Sequence, residues 1–258
     1  MAMTKTTDEI AKMREGGHLL SRALGEAVAA VKPGVTMRAL DAIAERVIRA
    51  GGGTPSFQGY KSHEDDEPFP STMCISRNEE IVHGRGDREV VLEEGDVLGL
   101  DIGCWYEELC TDMAVTVPVG KISDEAKKLI EVTRESCLKG VHAAKVGGMI
   151  SDIGVAVENY VKPHGYGIVR SLVGHGVGHK VHEAPHVPNF VSAEYPKVKI
   201  QDGMCLAIEP MLGLGTWKVK TADDGWTVVM ADGKIGAHFE LTIAVTEDGM
   251  EILTPWPV

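Results

Sequence analysis

The sequence is short of cysteine pairs, of positive charge and of long apolar runs. Its five cysteines (Cys74, Cys104, Cys110, Cys137 and Cys205) form no CxxC pair and are odd in number. A disulfide framework therefore has no support, and a reducing cytoplasm is the simple inference. Lysine and arginine total 26 against 38 aspartates and glutamates, a net charge of −12. Such a surface carries no electrostatic footprint for tight or specific nucleic-acid binding. No apolar run approaches the ~20 residues that span a membrane. The N-terminal stretch MAMTKTTDEIAKMREGG lacks the apolar core of a signal peptide.

What is present is the composition of an ordinary globular protein. The chain has 258 residues, 43% hydrophobic and 25% charged, enough for a well-buried core. Apolar residues recur at helical spacing over 8–31, and again after Thr36, a good N-cap, up to the GGG stop at 51–53. Ser123, followed by Asp124 and Glu125, predicts a third helix to about Ala144, and a fourth covers 150–162. Strand patterns occupy 73–83, 96–118, 167–174, 203–210 and 237–246, with a last turn and strand at DGMEIL. The acidic run HEDDE (63–67) reads as a solvated loop. VKPGVTMRALDAIAERVI (31–48) and AKVGGMISDIGVAVENYV (144–161) align and match Lys32 with Lys145, Gly34 with Gly147 and Glu45 with Glu158. This weak repeat implies an α/β sandwich with pseudo-two-fold symmetry and a site between the halves. No linker divides the chain.

LDIGCWYEELCTDMAV (100–115) reads as a hairpin with a site built into it. A turn at Tyr106-Glu107 sets Asp101 directly across from Asp112, where like charges are destabilising. Leu98, Leu100, Ile102, Thr111, Met113 and Val115 form the apolar face, and small residues flank the two acids on the other. One reading is a shifted register that sends one aspartate to the opposite face. The other is a cation or shared proton that resolves the repulsion. From the hairpin alone both stand.

The same grammar recurs. In GMCLAIEPML (203–212), Met204, Leu206 and Ile208 alternate with Cys205, Ala207 and Glu209. In AHFELTIAV (237–245), Glu240 lies between His238 and Thr242, opposite the face of Phe239, Leu241 and Ile243. A lone strand acid usually marks a solvated face; four on small-residue faces do not. VGHGVGHKVHEAP (173–185) supplies His175, His179 and His182, and His83 ends an earlier strand. Asp101, Asp112, Glu209 and Glu240 with one histidine make an oxygen-rich set suited to Mn, Fe, Co or Zn. Two divalent ions would balance four carboxylates.

DIGCWYEELCTD, GHGVGHKVHEAP, AIEPM and AHFELTIAV, in this order, resemble the type I methionine aminopeptidases over nearly the whole chain. The absence of a long insertion between His182 and Glu240 sets the pattern apart from type II, and the short N-terminus is similar to the short bacterial form. The resemblance implies an α+β pita-bread fold, a pseudo-two-fold antiparallel sheet covered by two pairs of helices, as one metallopeptidase domain over 1–258. It implies two divalent ions (Co, Mn, Fe or Zn) held by Asp101, Asp112, His175, Glu209 and Glu240. Asp112 and Glu240 would bridge, with Asp101 on one ion and His175 and Glu209 on the other. The catalytic set it implies is His83, His182 and Glu209. His182 would meet the scissile amide, His83 would sit beside the substrate, and Glu209 would relay the proton. Tyr60, Cys74 and Trp226 would line the methionine pocket, with Phe57 a further candidate.

The implied reaction removes the N-terminal methionine from nascent proteins and peptides by attack of a metal-bridging hydroxide, with preference for a small second residue. The implied partners are free N-termini and, transiently, the ribosome; a cytoplasmic monomer is expected. The chain departs from the pattern in its longer acidic segment between Tyr60 and Cys74. It also has Val181 where a large aromatic is common, which would open the pocket. His179 and His238 replace other polar residues and read as surface histidines or as histidines behind the ligands. The competing readings are a Xaa-Pro peptidase of the same fold and a binding protein on an inactive one.

Overall fold

The computed structural model describes residues 3–61, 64–65 and 67–257. His63 and Asp66 of the acidic run lie outside the described residues. Helix α1 (Thr7–Ala29) opens with a capping box: the Thr6 hydroxyl accepts from the Glu9 N–H and the Glu9 carboxylate accepts from the Thr6 N–H. Helix α2 (Met37–Ala50) starts after N-cap Thr36 and stops at Gly51, as the spacing predicts. Helix α3 (Asp124–Ala143) is capped by Ser123, and α4 covers Ile150–Val161.

The strands are β1 (Thr54–Pro55), β2 (Met73–Arg77), β3 (Glu80–Val82), β4 (Val97–Tyr106), β5 (Leu109–Pro118), β6 (Gly167–Ile168), β7 (Gly174–Gly176) and β8 (Glu183–Val187). After them come β9 (Met204–Ile208), β10 (Met211–Gly213), β11 (Val219–Thr221), β12 (Val228–Met230), β13 (Gly236–His238), β14 (Glu240–Thr246) and β15 (Gly249–Ile252). Nine form one antiparallel sheet along β1-β4-β5-β14-β9-β7-β8, with β2 beside β4 and β15 beside β14. Two three-stranded sheets, β13-β10-β6 and β11-β12-β3, flank it. These small sheets explain why three expected strands are broken. Residues 73–83, 167–174 and 237–246 each leave one sheet for another, and the chain must bend where it crosses. Phe239 is the crossing point between β13 and β14.

The weak sequence repeat becomes a repeat of backbone hydrogen bonds. The N–H of Gly34 donates to Leu92 O, that of Met37 to Val90 O, and that of Leu92 to Val35 O. In the second half Gly147 donates to Ile200 O, Ile150 to Val198 O, and Ile200 to Gly148 O. Each bracket holds the start of a helix against the segment that feeds a central strand, β4 or β9. Gly34 and Gly147 both take left-handed φ, +90° and +83°, where glycine bears no steric cost. The bracket puts Asp101 near the middle of β4 and Glu209 just past β9 at equivalent places. The pairs α1 with α2 and α3 with α4 bury one face of the sheet. Leu20, Leu40, Leu98, Val115, Ile208, Leu241 and Ile243, all at most 1% exposed, share this core across both halves.

The hairpin corrects the expected register. Its turn is Glu107-Glu108, with φ of 45° and 67°, the left-handed pair that a two-residue turn requires. Asp101 therefore faces Ala114, and Asp112 faces Gly103. The aspartates are diagonal neighbours, not directly opposed. A turn displaced by one residue changes every pairing by two positions, so each side chain keeps its face. Both carboxylates stay on the face away from the helices.

Candidate active site

That face forms the floor of a cavity of about 570 Å³. Asp101, Asp112, His175, Glu209, Glu240, His83, His182, Tyr60, Cys74, Trp226 and Phe57 all line it. Each floor residue is set by a strand. Asp101 and Asp112 come from the β4–β5 hairpin, His175 from β7, and Glu240 from the first position of β14. Glu209 follows β9, where its carbonyl accepts from Asn189 Nδ2. The hydroxyl of Thr242 accepts from Asp112 N–H and donates to Asp112 O, which ties β5 to β14 at the site.

The floor is short of counter-charge. Burial pushes the Asp101 carboxyl up to about 7. Burial, then the neighbouring acids, raises Asp112 and Glu240 well above the ordinary carboxylate range, and burial followed by Asp101 does the same to Glu209. Asp101 Oδ1, Asp112 Oδ1, Glu240 Oε1 and His238 Nε2 are buried without a hydrogen-bond partner among the described residues. Buried polar atoms are ordinarily paired, so this set asks for a cation. Donor atoms of Asp112, His175 and Glu240 lie within 4.8 Å of one another, as do those of Glu209, His238 and Glu240. Glu240 belongs to both groups. An oxygen and imidazole set without thiolate suits divalent ions of the first transition row.

His175 is prepared for such a role. Its Nδ1 lies 2.9 Å from Gly176 O and donates to it, which leaves the Nε2 lone pair aimed at the acids, 3.4 Å from Glu209 Oε1. Burial, with repulsion from His182, holds the ring down to about 3, so it is neutral at physiological pH. His83 follows β3 in a left-handed conformation (φ 57°). Burial and His182 lower it to about 4. His182 is exposed at its outer edge, yet the desolvating cavity wall lowers it as well. Its Nδ1 is 2.9 Å from Tyr60 Oη, and its ring stands edge-on to His175 with centroids 4.5 Å apart.

One wall is apolar and aromatic, and Asp65, Glu67 and Asp224 also line the cavity. Phe69 and Trp226 meet edge to face at 5.3 Å, beside Phe57 and Cys74. The acidic segment is a loop closed at its stem: Phe69 N–H donates to Tyr60 O, and Gly59 N–H donates to Phe69 O. Asp65 and Glu67 of that loop line the cavity, so the run expected to be a solvated loop instead adds acids to the wall. Phe69 is a lining residue that the sequence reading missed, although an apolar side chain between prolines at the end of a polar run is a signal. Val181 is buried in the apolar cluster beside the cavity and is not among its lining residues. His179 stands apart, its Nε2 2.7 Å from Glu9 Oε1, and that bond is the main cause holding Glu9 down to about 2. His238 is the larger surprise. It is 3% exposed and belongs to the metal-sized cluster, not to the surface.

A curled antiparallel sheet whose central strands present buried acids and an imidazole defines a pita-bread metallopeptidase. The profile of metallopeptidase family M24 matches residues 11–247, and the chain belongs to that family. It is 45% identical over 255 residues to the methionine aminopeptidase of Clostridium perfringens, covering 98% of this chain and 99% of that one. It is equally identical, with the same coverage, to methionine aminopeptidase 1 of Bacillus subtilis. The crystal structure of methionine aminopeptidase from Thermotoga maritima matches with a TM-score of 0.92 at 38% identity, over 98% of this chain and 99% of that one.

Proposed function

We propose that the chain removes methionine from the free N-terminus of peptides and nascent proteins. The observation that carries this is a buried, cation-seeking cluster of acids at the floor of an aromatic-walled, 570 Å³ cavity. Walls of aromatic rings and a thiol (Phe57, Tyr60, Phe69, Trp226 and Cys74) fit a soft thioether side chain. Asp101, Asp112, His175, Glu209 and Glu240 would hold two divalent ions (Co, Mn, Fe or Zn). When bound, such ions polarise the scissile carbonyl and make hydroxide available near neutral pH.

The chain's own residues do the rest. Glu209, at the cavity floor and ionised once cations balance the acid cluster, accepts the proton of the attacking water and passes it to the leaving amine. Tyr60 Oη and His182 Nδ1 are 2.9 Å apart; with the phenol as donor, the Nε2 of His182 carries a proton. That Nε2–H points a preorganised donor at the developing oxyanion. His83 adds a second neutral imidazole on the substrate side. The substrates cleaved would be those with a small second residue. The whole chain acts as one catalytic domain. Five buried thiols suit a cytoplasmic location; action as a monomer near the ribosome rests on the family likeness alone.

The test is release of methionine from Met-Ala-Ser against acetyl-Met-Ala-Ser. Metal-free protein is titrated with Mn(II), Fe(II) and Co(II), beside a Glu209→Ala control. Metal-dependent release from the free peptide alone, falling at least about a thousandfold in the variant, supports the reading. Turnover of Ala-Pro but not of Met-Ala-Ser would replace it with a Xaa-Pro peptidase, and no turnover with any metal would leave a binding protein.

A further inference from the structure

His238 is an extra donor at the floor of the cavity, beyond the five acid and histidine positions named above. It ends β13 beside Glu240. One hydroxyl clamps its backbone on both sides: the His238 N–H donates to Thr116 Oγ1 (2.9 Å), and that hydroxyl donates to His238 O (2.8 Å). Such a clamp fixes where the ring stands. Nε2 lies 3.8 Å from Glu209 Oε2 and 3.9 Å from Glu240 Oε2. Both separations exceed a hydrogen bond, and Nε2 is buried with no partner among the described residues. His238 is therefore not placed to tether the carboxylates directly. Two donors each about 2.1 Å from one cation stand about 3.0–3.5 Å apart. A contraction of a few tenths of an ångström around a cation brings all three donors to bonding distance. Glu240 Oε1, also buried and unpartnered, faces the same need.

We propose that His238 is a metal ligand, binding a divalent cation through Nε2 together with Glu209 and Glu240. The inference rests on the metallopeptidase reading and deepens it. With His175 in the group that Glu240 shares with Asp112, the site then holds two imidazoles. Imidazole suits Fe, Co and Zn, whereas Mn takes all-oxygen sites more readily. His238 thus biases the chain towards the more nitrogen-seeking metals.

The experiment is proton NMR of the full chain saturated with Co(II), in water and in deuterium oxide. The ring N–H of a histidine bound to paramagnetic Co(II) is strongly shifted and vanishes on deuterium exchange. Wild type is expected to show two such resonances, from His175 and His238. His238→Gln, checked for a native circular dichroism spectrum, is expected to show one. The variant is also expected to bind Co(II) at least about tenfold more weakly, with Mn(II) affinity changing less. One exchangeable shifted resonance in saturated wild type, or two that persist in the variant, overturns the proposal. If the variant does not fold, the wild-type count alone decides. Failure to cleave Met-Ala-Ser leaves the resonance count standing, and a single resonance leaves the aminopeptidase reading standing.

Discussion

Burial holds the Asp101 carboxyl up to about 7, against 3.8 for an ordinary aspartate. The metal-free native protein therefore keeps a proton that the unfolded chain has lost. The stability this contributes is full below about pH 4 and is lost as pH rises through about 7. Asp112, Glu209 and Glu240 shift the same way. His83, His175 and His238 are lowered and oppose this, but only below their ordinary value of 6.5, where the unfolded chain gains protons that the native state refuses. Above pH 6.5 the histidines no longer oppose the acids, and only towards pH 8.5 do the buried cysteines, raised in the same way, begin to add to the fall. The melting temperature of metal-free protein is thus expected to fall between pH 6.5 and 8.5, and a saturating divalent ion is expected to flatten that fall. Equal slopes with and without metal would mean that no cation answers these carboxylates. Tyr60 offers a second test at this scale. Tyr60→Phe removes the hydrogen bond to His182 Nδ1, worth about 1 kcal/mol net, and kcat is expected to fall about fivefold. A rise in KM with kcat unchanged would make Tyr60 a wall and nothing more.

Among the elements, the β4–β5 hairpin shows what alternation can and cannot reveal. The face of every residue from Leu98 to Val115 is legible from its period of two. The partner of each is not, because it depends on which two residues accept left-handed φ, and Glu107-Glu108 is a poor advertisement for such a turn. Likewise the helix starts at Thr36 and Ser123 are visible in the chemistry of their caps. The breaks at residues 78–79 and 239 are not, since nothing local says that a strand will change sheets. Small residues on the site face differ in how much they are needed. A Cβ on Gly103 would meet Ser56 Oγ at 2.3 Å, Phe57 at 3.1 Å and Thr111 O at 3.2 Å. On Gly99 it would meet nothing closer than Ser76 at 3.6 Å. Gly103→Ala is expected to cost about 1–3 kcal/mol and, by pushing Phe57, to raise KM for methionyl peptides. Gly99→Ala is expected to stay within about 0.5 kcal/mol of wild type. Denaturant melts of the two variants check this, and equal losses would place the crowding elsewhere.

Across the whole molecule, the two halves meet at the cavity floor. Asp101 and Asp112 come from the first half, and His175, Glu209 and Glu240 from the second. The candidate ligands were legible because strand acids with small neighbours are costly and so stand out. Alternation set His238 on the face of Glu240 as well, but the resemblance implies no ligand there, and only the folded path of β13 shows its Nε2 buried 3.8 and 3.9 Å from Glu209 and Glu240. The cysteines carry a consequence of their own. Cys104, Cys110, Cys137 and Cys205 are at most 1% exposed, and Cys74, at 5%, borders the cavity. A thiol reagent small enough to enter the cavity should modify Cys74 first, and methionine held in the pocket should slow it. The other four should wait for the chain to open as a whole. Their labelling rate, followed by mass spectrometry in plain buffer, is then a clock for the rarest breathing of the protein, wound by its own sequence and readable without a denaturant.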